Sequence, residues 1–154
     1  MLSPEESVRG AAAKIDVELP SRGYFYPLTS PLSSGIIQMF EVTAKHEDIL
    51  SNTALLKKGT VLDEFLKALI ATSGVTLDEL TVGDKNAIFL AARRSAYGDV
   101  YKTKMKCPGC EREVGVSIDL SMVTIKSFDF SNHERGQNQF TYTLPVSGKS
   151  KALS

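Results

Sequence analysis

The chain of 154 residues is long enough for one domain with a substantial core, and its 18 Lys and Arg balance its 18 Asp and Glu. A zero net charge argues against a dedicated nucleic-acid-binding protein, which needs a basic excess to compensate phosphates. Low net charge suits a protein that packs among others, because it gives little self-repulsion. We find no signal-like N-terminus and no apolar run of membrane-spanning length, so we expect no membrane insertion.

The first part of the chain divides into an arm and an aromatic segment. Residues 1–14 are small and polar, and they predict a flexible N-terminal arm. Residues 15–126 are predicted to form the core domain, which begins with a short alternating strand. The aromatic segment that follows either packs on this core or docks onto a partner, since Tyr, Phe and Arg are enriched at interface hot spots. Its candidate partner-binding residues are Arg22, Tyr24, Phe25 and Tyr26.

The middle of the core domain predicts one strand and a helical cluster. The run IIQMFEV at residues 36–42 has apolar residues on both faces, which is typical of a central strand. Helices are predicted between residues 43 and 97. The last of them begins at Thr81, and Asp84 lies three residues on, at the spacing of a capping box. Its apolar run at residues 87–92 indicates a helix that is surrounded on most sides. The predicted core residues of the cluster are Phe65, Ile88 and Leu90.

A β-hairpin is predicted over residues 99–120, because two alternating runs flank a tight turn. The turn itself is Cys107-Pro108-Gly109-Cys110. One set of alternate positions on each side of the turn is mainly apolar: Tyr101, Thr103 and Met105 before it, and Val114, Val116, Ile118 and Leu120 after it. The predicted fold class is therefore α+β, a helical cluster with short antiparallel strands and a zinc-knuckle-like CPGC β-hairpin.

Three chemistries compete for Cys107 and Cys110. A CPGC turn between two strands can aim both thiolates at zinc, but structural zinc needs four ligands and the chain has only two cysteines and two histidines. His133 is the candidate third ligand; otherwise a second copy or a partner completes the half-site. A redox dithiol would sit at the N-terminus of a helix rather than before a strand. The third interpretation is a turn whose thiols have no role. Because two such cysteines are no disulfide framework, we expect a reducing compartment.

The last part of the chain, residues 127–154, is predicted to be a polar loop and a C-terminal strand segment. The strand covers residues 140–144, and the chain stops where its hairpin partner should lengthen. We therefore expect an unpaired edge that another chain completes by strand addition. The candidate partner-binding residues of this strand are Phe140 and Tyr142.

The sequence shows no arrangement that requires catalysis. Both histidines lie in polar surroundings, and neither a Gly-x-Ser-x-Gly elbow nor the spacing of a P-loop is present. The acidic residues at positions 63–64, 78–79 and 84 are explained by helix starts, where negative charge is stabilising. We therefore expect a protein without enzymatic activity.

Several of these motifs occur in an order that resembles the baseplate-hub proteins of contractile-tailed bacteriophages. An LPS-x-GY opening is followed by a helix with T-x-x-x-EDIL, then by VGD-x-N, YG, the CPxC hairpin and a DL exit. The residues that carry the resemblance are Leu19 to Ser21, Gly23, Tyr24, Thr43, Glu47 to Leu50, Val82 to Asp84, Asn86, Tyr97, Gly98, Cys107, Pro108, Cys110, Asp119 and Leu120.

The resemblance implies a non-enzymatic structural or assembly protein of the tail baseplate. The implied partners are the baseplate hub and the central spike, with self-association as a further option. The implied location is the host cytoplasm during assembly, or the baseplate of the virion tail. Two other classes stay open: a zinc-ribbon-like module that binds nucleic acid or regulates, and a redox protein. The first needs an outward basic face, and the second needs a helix after Cys107.

Overall fold

The computed structural model describes residues 13–137 and 140–153 of the protein. The predicted arm at residues 1–14 lies outside the described residues except for its last two positions, and Lys14 already belongs to the first strand. No helix in the described part of the chain is long and apolar enough to cross a membrane. The predicted α+β class is confirmed, since short helices combine with three antiparallel strand pairs.

Along the chain, one strand pair comes first, four α-helices follow, and two β-hairpins come last. The strands are β1 (Lys14–Glu18), β2 (Ile36–Phe40), β3 (Val100–Lys106), β4 (Glu113–Asp119), β5 (Phe140–Thr143) and β6 (Ser150–Leu153). The α-helices are α1 (Ala44–Leu50), α2 (Thr53–Lys58), α3 (Val61–Leu69) and α4 (Val82–Tyr97). Short 3-10 helices lie at Pro31–Ser34, Leu77–Glu79 and Leu120–Met122.

The antiparallel pair of β1 and β2 forms one side of the core. Val17 pairs with Ile37 and both are buried, whereas Gln38 on the other side of β2 is exposed. The outer edge of β2 is covered by residues 70–72, where the Ala71 N–H donates to the Gln38 carbonyl at 2.8 Å. Both edges of β2 are therefore bonded, as predicted for a central strand, but burial of both faces is not observed, because one face of the two-stranded sheet in the described chain meets solvent.

Helices α3 and α4 pack with the sheet and complete the core. Helix α3 buries Phe65, Leu66 and Leu69 on one side, and α4 contributes Ile88. Leu90 is only half-buried and lines an open groove between β1 and α4. The predictions for Phe65 and Ile88 are confirmed. The prediction that α4 is surrounded on most sides, with Leu90 in the core, is wrong because α4 lies at the surface of a small core.

The core ends well before the described chain does. Among the residues whose burial the structure describes, all the buried ones lie between Val17 and Ala92. From residue 93 onward, none of the side chains that the structure describes is buried. This second part consists of the hairpin β3–β4, the loop that follows it, and the hairpin β5–β6. The chain therefore divides into a region with a hydrophobic core and a region without one.

The C-terminal strand is paired within the chain. Strand β5 pairs antiparallel with β6, and Tyr142 lies opposite Lys151. The turn between the two strands is closed by the Gly148 N–H, which donates to the Leu144 carbonyl at 2.9 Å. The prediction of an unpaired edge strand at residues 140–144 is therefore wrong, because four residues after the turn are enough to form its partner.

Candidate functional site

A buried carboxylate joins two distant segments of the core. Asp84, in the first turn of α4, is fully buried and accepts hydrogen bonds from the Ser21 N–H at 3.0 Å and from the Tyr26 hydroxyl. The Tyr26 hydroxyl oxygen in turn accepts from the Thr81 N–H at 3.1 Å. These donors and the positive end of the α4 dipole compensate the buried charge. We call Ser21, Tyr26, Thr81 and Asp84 the Asp84 cluster.

The Asp84 cluster explains why the aromatic segment folds back onto α4. The Thr81 hydroxyl oxygen accepts from the Asp84 N–H at 3.3 Å, so the predicted cap is confirmed. Burial, followed by the hydrogen bond to Asp84, raises the pKa of the Tyr26 hydroxyl to about 12. From the sequence, Asp84 is explained by its capping position alone. No local pattern reveals its bonds to Ser21 and Tyr26, which lie 63 and 58 residues away along the chain.

The loop before β2 requires glycine at two positions. Gly23 has a φ of +72°, and an added Cβ would lie 2.4 Å from the Ser33 carbonyl oxygen. A Cβ on Gly35 would lie 2.8 Å from the Arg22 carbonyl carbon. The two backbone segments therefore approach too closely for any side chain. Arg22 itself has a φ of +50°, and its side chain is exposed.

The rings of the aromatic segment have different surroundings. Tyr26 is only 3% exposed, so for this ring the structure shows packing on the core, the first of the two alternatives, and not a surface that a partner could contact. Its hydroxyl is used by the Asp84 cluster and its ring by the core. Tyr24 and Phe25 are half-buried and lie outside the main core. Of the candidate partner-binding residues here, Arg22 is the most accessible.

Tyr24 and Phe25 pack against the loop that follows the β3–β4 hairpin. Tyr24 stacks on Phe130 with ring centroids 4.4 Å apart, and its hydroxyl donates to the His133 carbonyl at 2.6 Å. Phe128 lies 6.1 Å from Phe25 and 5.2 Å from the His133 ring. We call these five residues the aromatic cluster. Phe128 and Phe130 were not predicted as site residues, although the sequence FDF in an otherwise polar stretch is a signal that could have identified them.

The structure places His133 in the aromatic cluster and not at the cysteines. Among the residues that the structure describes, no group of three or more His, Cys, Asp or Glu could hold a metal ion. His133 therefore does not join Cys107 and Cys110 as a third ligand in this structure. The described part of the chain does not show a complete zinc knuckle. The two cysteines supply at most two of the four ligands of a tetrahedral site.

The CPGC turn holds its two free thiols at the tip of the hairpin. The Cys107 N–H donates to the Arg112 carbonyl at 2.9 Å, and the Glu111 N–H donates to the Cys107 carbonyl at 2.8 Å. The Gly109 N–H, followed by the N–H and the thiol of Cys110, lowers the pKa of the Cys107 thiol. Strand β4 follows the turn, so the helix that typically activates a redox dithiol is not the next element.

The strand register gives the β3–β4 hairpin one continuous uncharged face. Tyr101 pairs with Ile118, Thr103 with Val116, and Met105 with Val114, so all six side chains share one side. We call this set the hairpin face. Met105 is 56% exposed and Val114 51% exposed, while Arg93 of α4 lies 5.4 Å over the Tyr101 ring at the base. Both alternating runs are visible in the sequence, but their union into one exposed surface was not predicted.

The opposite face of the same hairpin is polar. It carries Lys102, Lys104 and Lys106, and the Lys104 ammonium lies 3.9 Å from the Glu113 carboxylate. Both side chains of this ion pair are largely exposed, so it contributes little to stability.

The C-terminal hairpin also has exposed apolar positions, since Tyr142 is 52% exposed. Phe140 is the other residue of this strand that was predicted to bind a partner, and its side chain lies outside the described part of the chain.

Comparison with known proteins identifies the family. The family model of the T4 bacteriophage base plate protein matches residues 23–150, which include most of the core, the CPGC hairpin and most of the C-terminal hairpin. No curated protein and no solved structure gave a significant match. The matched range is well over half of the chain and agrees with the resemblance noted from the motifs. The chain therefore belongs to the T4 bacteriophage base plate protein family.

Proposed function

We propose that this phage baseplate protein is a non-enzymatic structural or assembly component of the baseplate hub, and that it acts through protein–protein surfaces. The observation that carries the proposal is the division of the chain at residue 93. Before it lies a hydrophobic core, and after it none of the described side chains is buried. A two-stranded hairpin is marginally stable in water unless a further surface covers its apolar side. A hairpin with an exposed apolar side is typical of a protein in which a neighbouring protein covers that side.

The exposed residues of the second region suit protein contacts better than catalysis. Tyr142 and Leu144 of the C-terminal hairpin are exposed, and so is Phe128 of the aromatic cluster. Large apolar side chains at a surface indicate an interaction site, and aromatic residues and arginine supply most of the binding energy at interfaces. The partners that fit the baseplate family are the hub and central spike proteins of the same phage, met in the host cytoplasm during assembly.

Arg22 and Tyr142 are the strongest candidates for contacts with the hub. Both side chains are exposed, and neither belongs to the Asp84 cluster or the core. Tyr24 and Phe25 contribute indirectly, since they hold the loop at residues 128–137 against the core. Exposed anchors of this type can be removed without loss of folding, which makes them suitable for a test.

Co-expression with the hub and spike proteins, followed by affinity capture on a tag, tests the proposal. The unaltered chain is expected to capture at least one of the two. Replacing both Arg22 and Tyr142 with alanine should weaken capture about tenfold, which corresponds to about 1.4 kcal/mol. Lys57→Ala, an exposed change in α2, is the matched control and should leave capture unchanged. Failure of the unaltered chain to capture either protein would contradict the proposed function.

A further inference from the structure

The hairpin face and the CPGC turn belong to one continuous surface. Tyr101, Thr103 and Met105 alternate on one side of β3, and the same alternation continues to Cys107. The ladder also continues past the strands, since the Cys107 N–H donates to the Arg112 carbonyl. Cys107 therefore lies at the end of the uncharged face, and the same register places Arg112 opposite it. A neighbour that covers this face would also reach the thiols.

Neither the hairpin face nor the pair of thiols in the CPGC turn has its counterpart in the described part of the chain. The hairpin face has no charged residue, so it matches another uncharged apolar surface. The turn supplies two sulfur ligands, and a structural zinc ion needs four. In the described part of the chain, no third His, Cys, Asp or Glu forms a group with the thiols that could hold a metal ion. One partner that brings both an apolar face and two soft ligands to the tip of the hairpin would complete both features.

We propose that a second copy of this chain is that partner, and that two hairpins pack face to face and bind one zinc ion through Cys107 and Cys110 of each copy. A two-fold axis parallel to the strands places both CPGC turns at the same end. Each copy then presents the same uncharged face to the other and contributes half of the ligands. On binding, zinc displaces the thiol protons to solvent, and four thiolates surround the metal.

The size of the hairpin face explains why the metal is needed. Two strands of seven residues form a face roughly 23 Å long and about 10 Å wide. That area is well below the roughly 800 Å² per partner of a standard stable interface. Apolar contact alone therefore gives weak association, and the metal supplies the remaining free energy.

The first experiment measures zinc content and mass together. The full chain is purified under reducing conditions with zinc added, and any polyhistidine tag is removed. We expect a dimer with about one zinc per two chains, and conversion to the monomer when a chelator removes the metal. A monomer without zinc, a monomer with its own zinc, or a dimer that keeps its mass without zinc would each overturn the proposal.

Two sets of substitutions test separately the contribution of the metal and that of the apolar face to dimerisation. Replacing Cys107 and Cys110 with serine should abolish zinc binding and dimerisation and leave the melting of the core unchanged. Met105→Lys should raise the dissociation constant of the dimer at least tenfold, because it places a charge on the hairpin face next to the CPGC turn. Lys104→Met, on the opposite face of the same strand, is the matched control and should not change it. Equal effects of the two substitutions would overturn the packing arrangement.

The inference does not rest on the proposed function, and the two can fail separately. Zinc-dependent dimerisation is measured with the purified chain alone, whereas the proposed function requires capture of hub or spike protein. If zinc binds only when the hub or spike protein is present, the second half-site comes from that protein. That result would overturn the dimer and would support the proposed function.

Discussion

The two regions of the molecule, residues 17–92 and residues 99–153, use apolar side chains in different ways. In the first region, the apolar sides of β1, β2, α3 and α4 face one another and form one buried cluster. In the second region, each hairpin satisfies its backbone by pairing its own two strands, yet its apolar side chains stay exposed. The core region therefore covers most of its apolar surface internally, whereas the hairpin region leaves its apolar side chains exposed.

The polar contacts of the two regions also differ in burial. The Asp84 cluster connects the aromatic segment with α4 inside the core region and is buried. At the base of the β3–β4 hairpin, the corresponding contacts are local and exposed: Arg94 lies 2.5 Å from the Asp99 carboxylate. Buried, charged hydrogen bonds contribute more to stability than exposed ion pairs. Mutations should therefore have large effects in the first region and small ones in the second.

The largest contrast is expected between two leucines of α3. Leu66 is 1% exposed and Leu62 is 54% exposed, so they differ in burial and share a helix. Leu66→Ala should lower the free energy of unfolding by about 2–5 kcal/mol, because it leaves a cavity in the core. Leu62→Ala should lower it by less than about 0.5 kcal/mol. Denaturant titration measures both, and equal losses would contradict the assignment of the core.

A smaller effect is expected from the hydroxyl group that binds Asp84. Tyr26→Phe keeps the ring but removes one donor from a buried carboxylate and one acceptor from the Thr81 N–H. The free energy of unfolding should fall by about 1–3 kcal/mol. Tyr142→Phe removes a hydroxyl from an exposed ring and serves as the control, with no measurable loss expected. Similar stability of the two variants would show that the Asp84 cluster does not hold the core together.

The same hydroxyl should make stability depend on pH in the alkaline range. The pKa of Tyr26 is raised from 10.0 to about 12 in the folded protein, so folding favours its protonated form. Its contribution is fully present below pH 10 and is lost as the pH rises from about 10 to about 12. Comparing the unaltered chain with Tyr26→Phe isolates this group from other residues that titrate there. Parallel stability curves over that range would contradict the shift.

The smallest effect is expected in the hairpin face. Val114→Ala should change the free energy of unfolding by less than about 0.5 kcal/mol, because this side chain is 51% exposed. Val17→Ala in β1, where the same residue type is 7% exposed, should cost about 2 kcal/mol. Both are measured with Cys107 and Cys110 replaced by serine, so that dimerisation does not contribute. A large loss for Val114→Ala would mean that another part of the chain covers the hairpin face.

Features that depend on neighbours in the sequence could be predicted. The Thr81 cap, the two strands around the CPGC turn and the buried positions Phe65 and Ile88 all follow from local periodicity, and the structure confirms them. Each reflects hydrogen bonding or side-chain spacing within a few residues. The order of the motifs also indicated the baseplate family, which the family model supports over residues 23–150.

Only the tertiary structure decided which of these features are buried and which are exposed. Tyr24 and Tyr26 are two residues apart, yet one packs on a loop more than 100 residues away and the other binds Asp84 inside the core. Likewise, Leu90 and Ile88 lie on one helix but only Ile88 meets the core. Burial depends on where distant segments meet, and no local pattern carries that information. The sequence by itself therefore determined the elements, the turn chemistry and the family, while long-range packing decided which surfaces remain for partners.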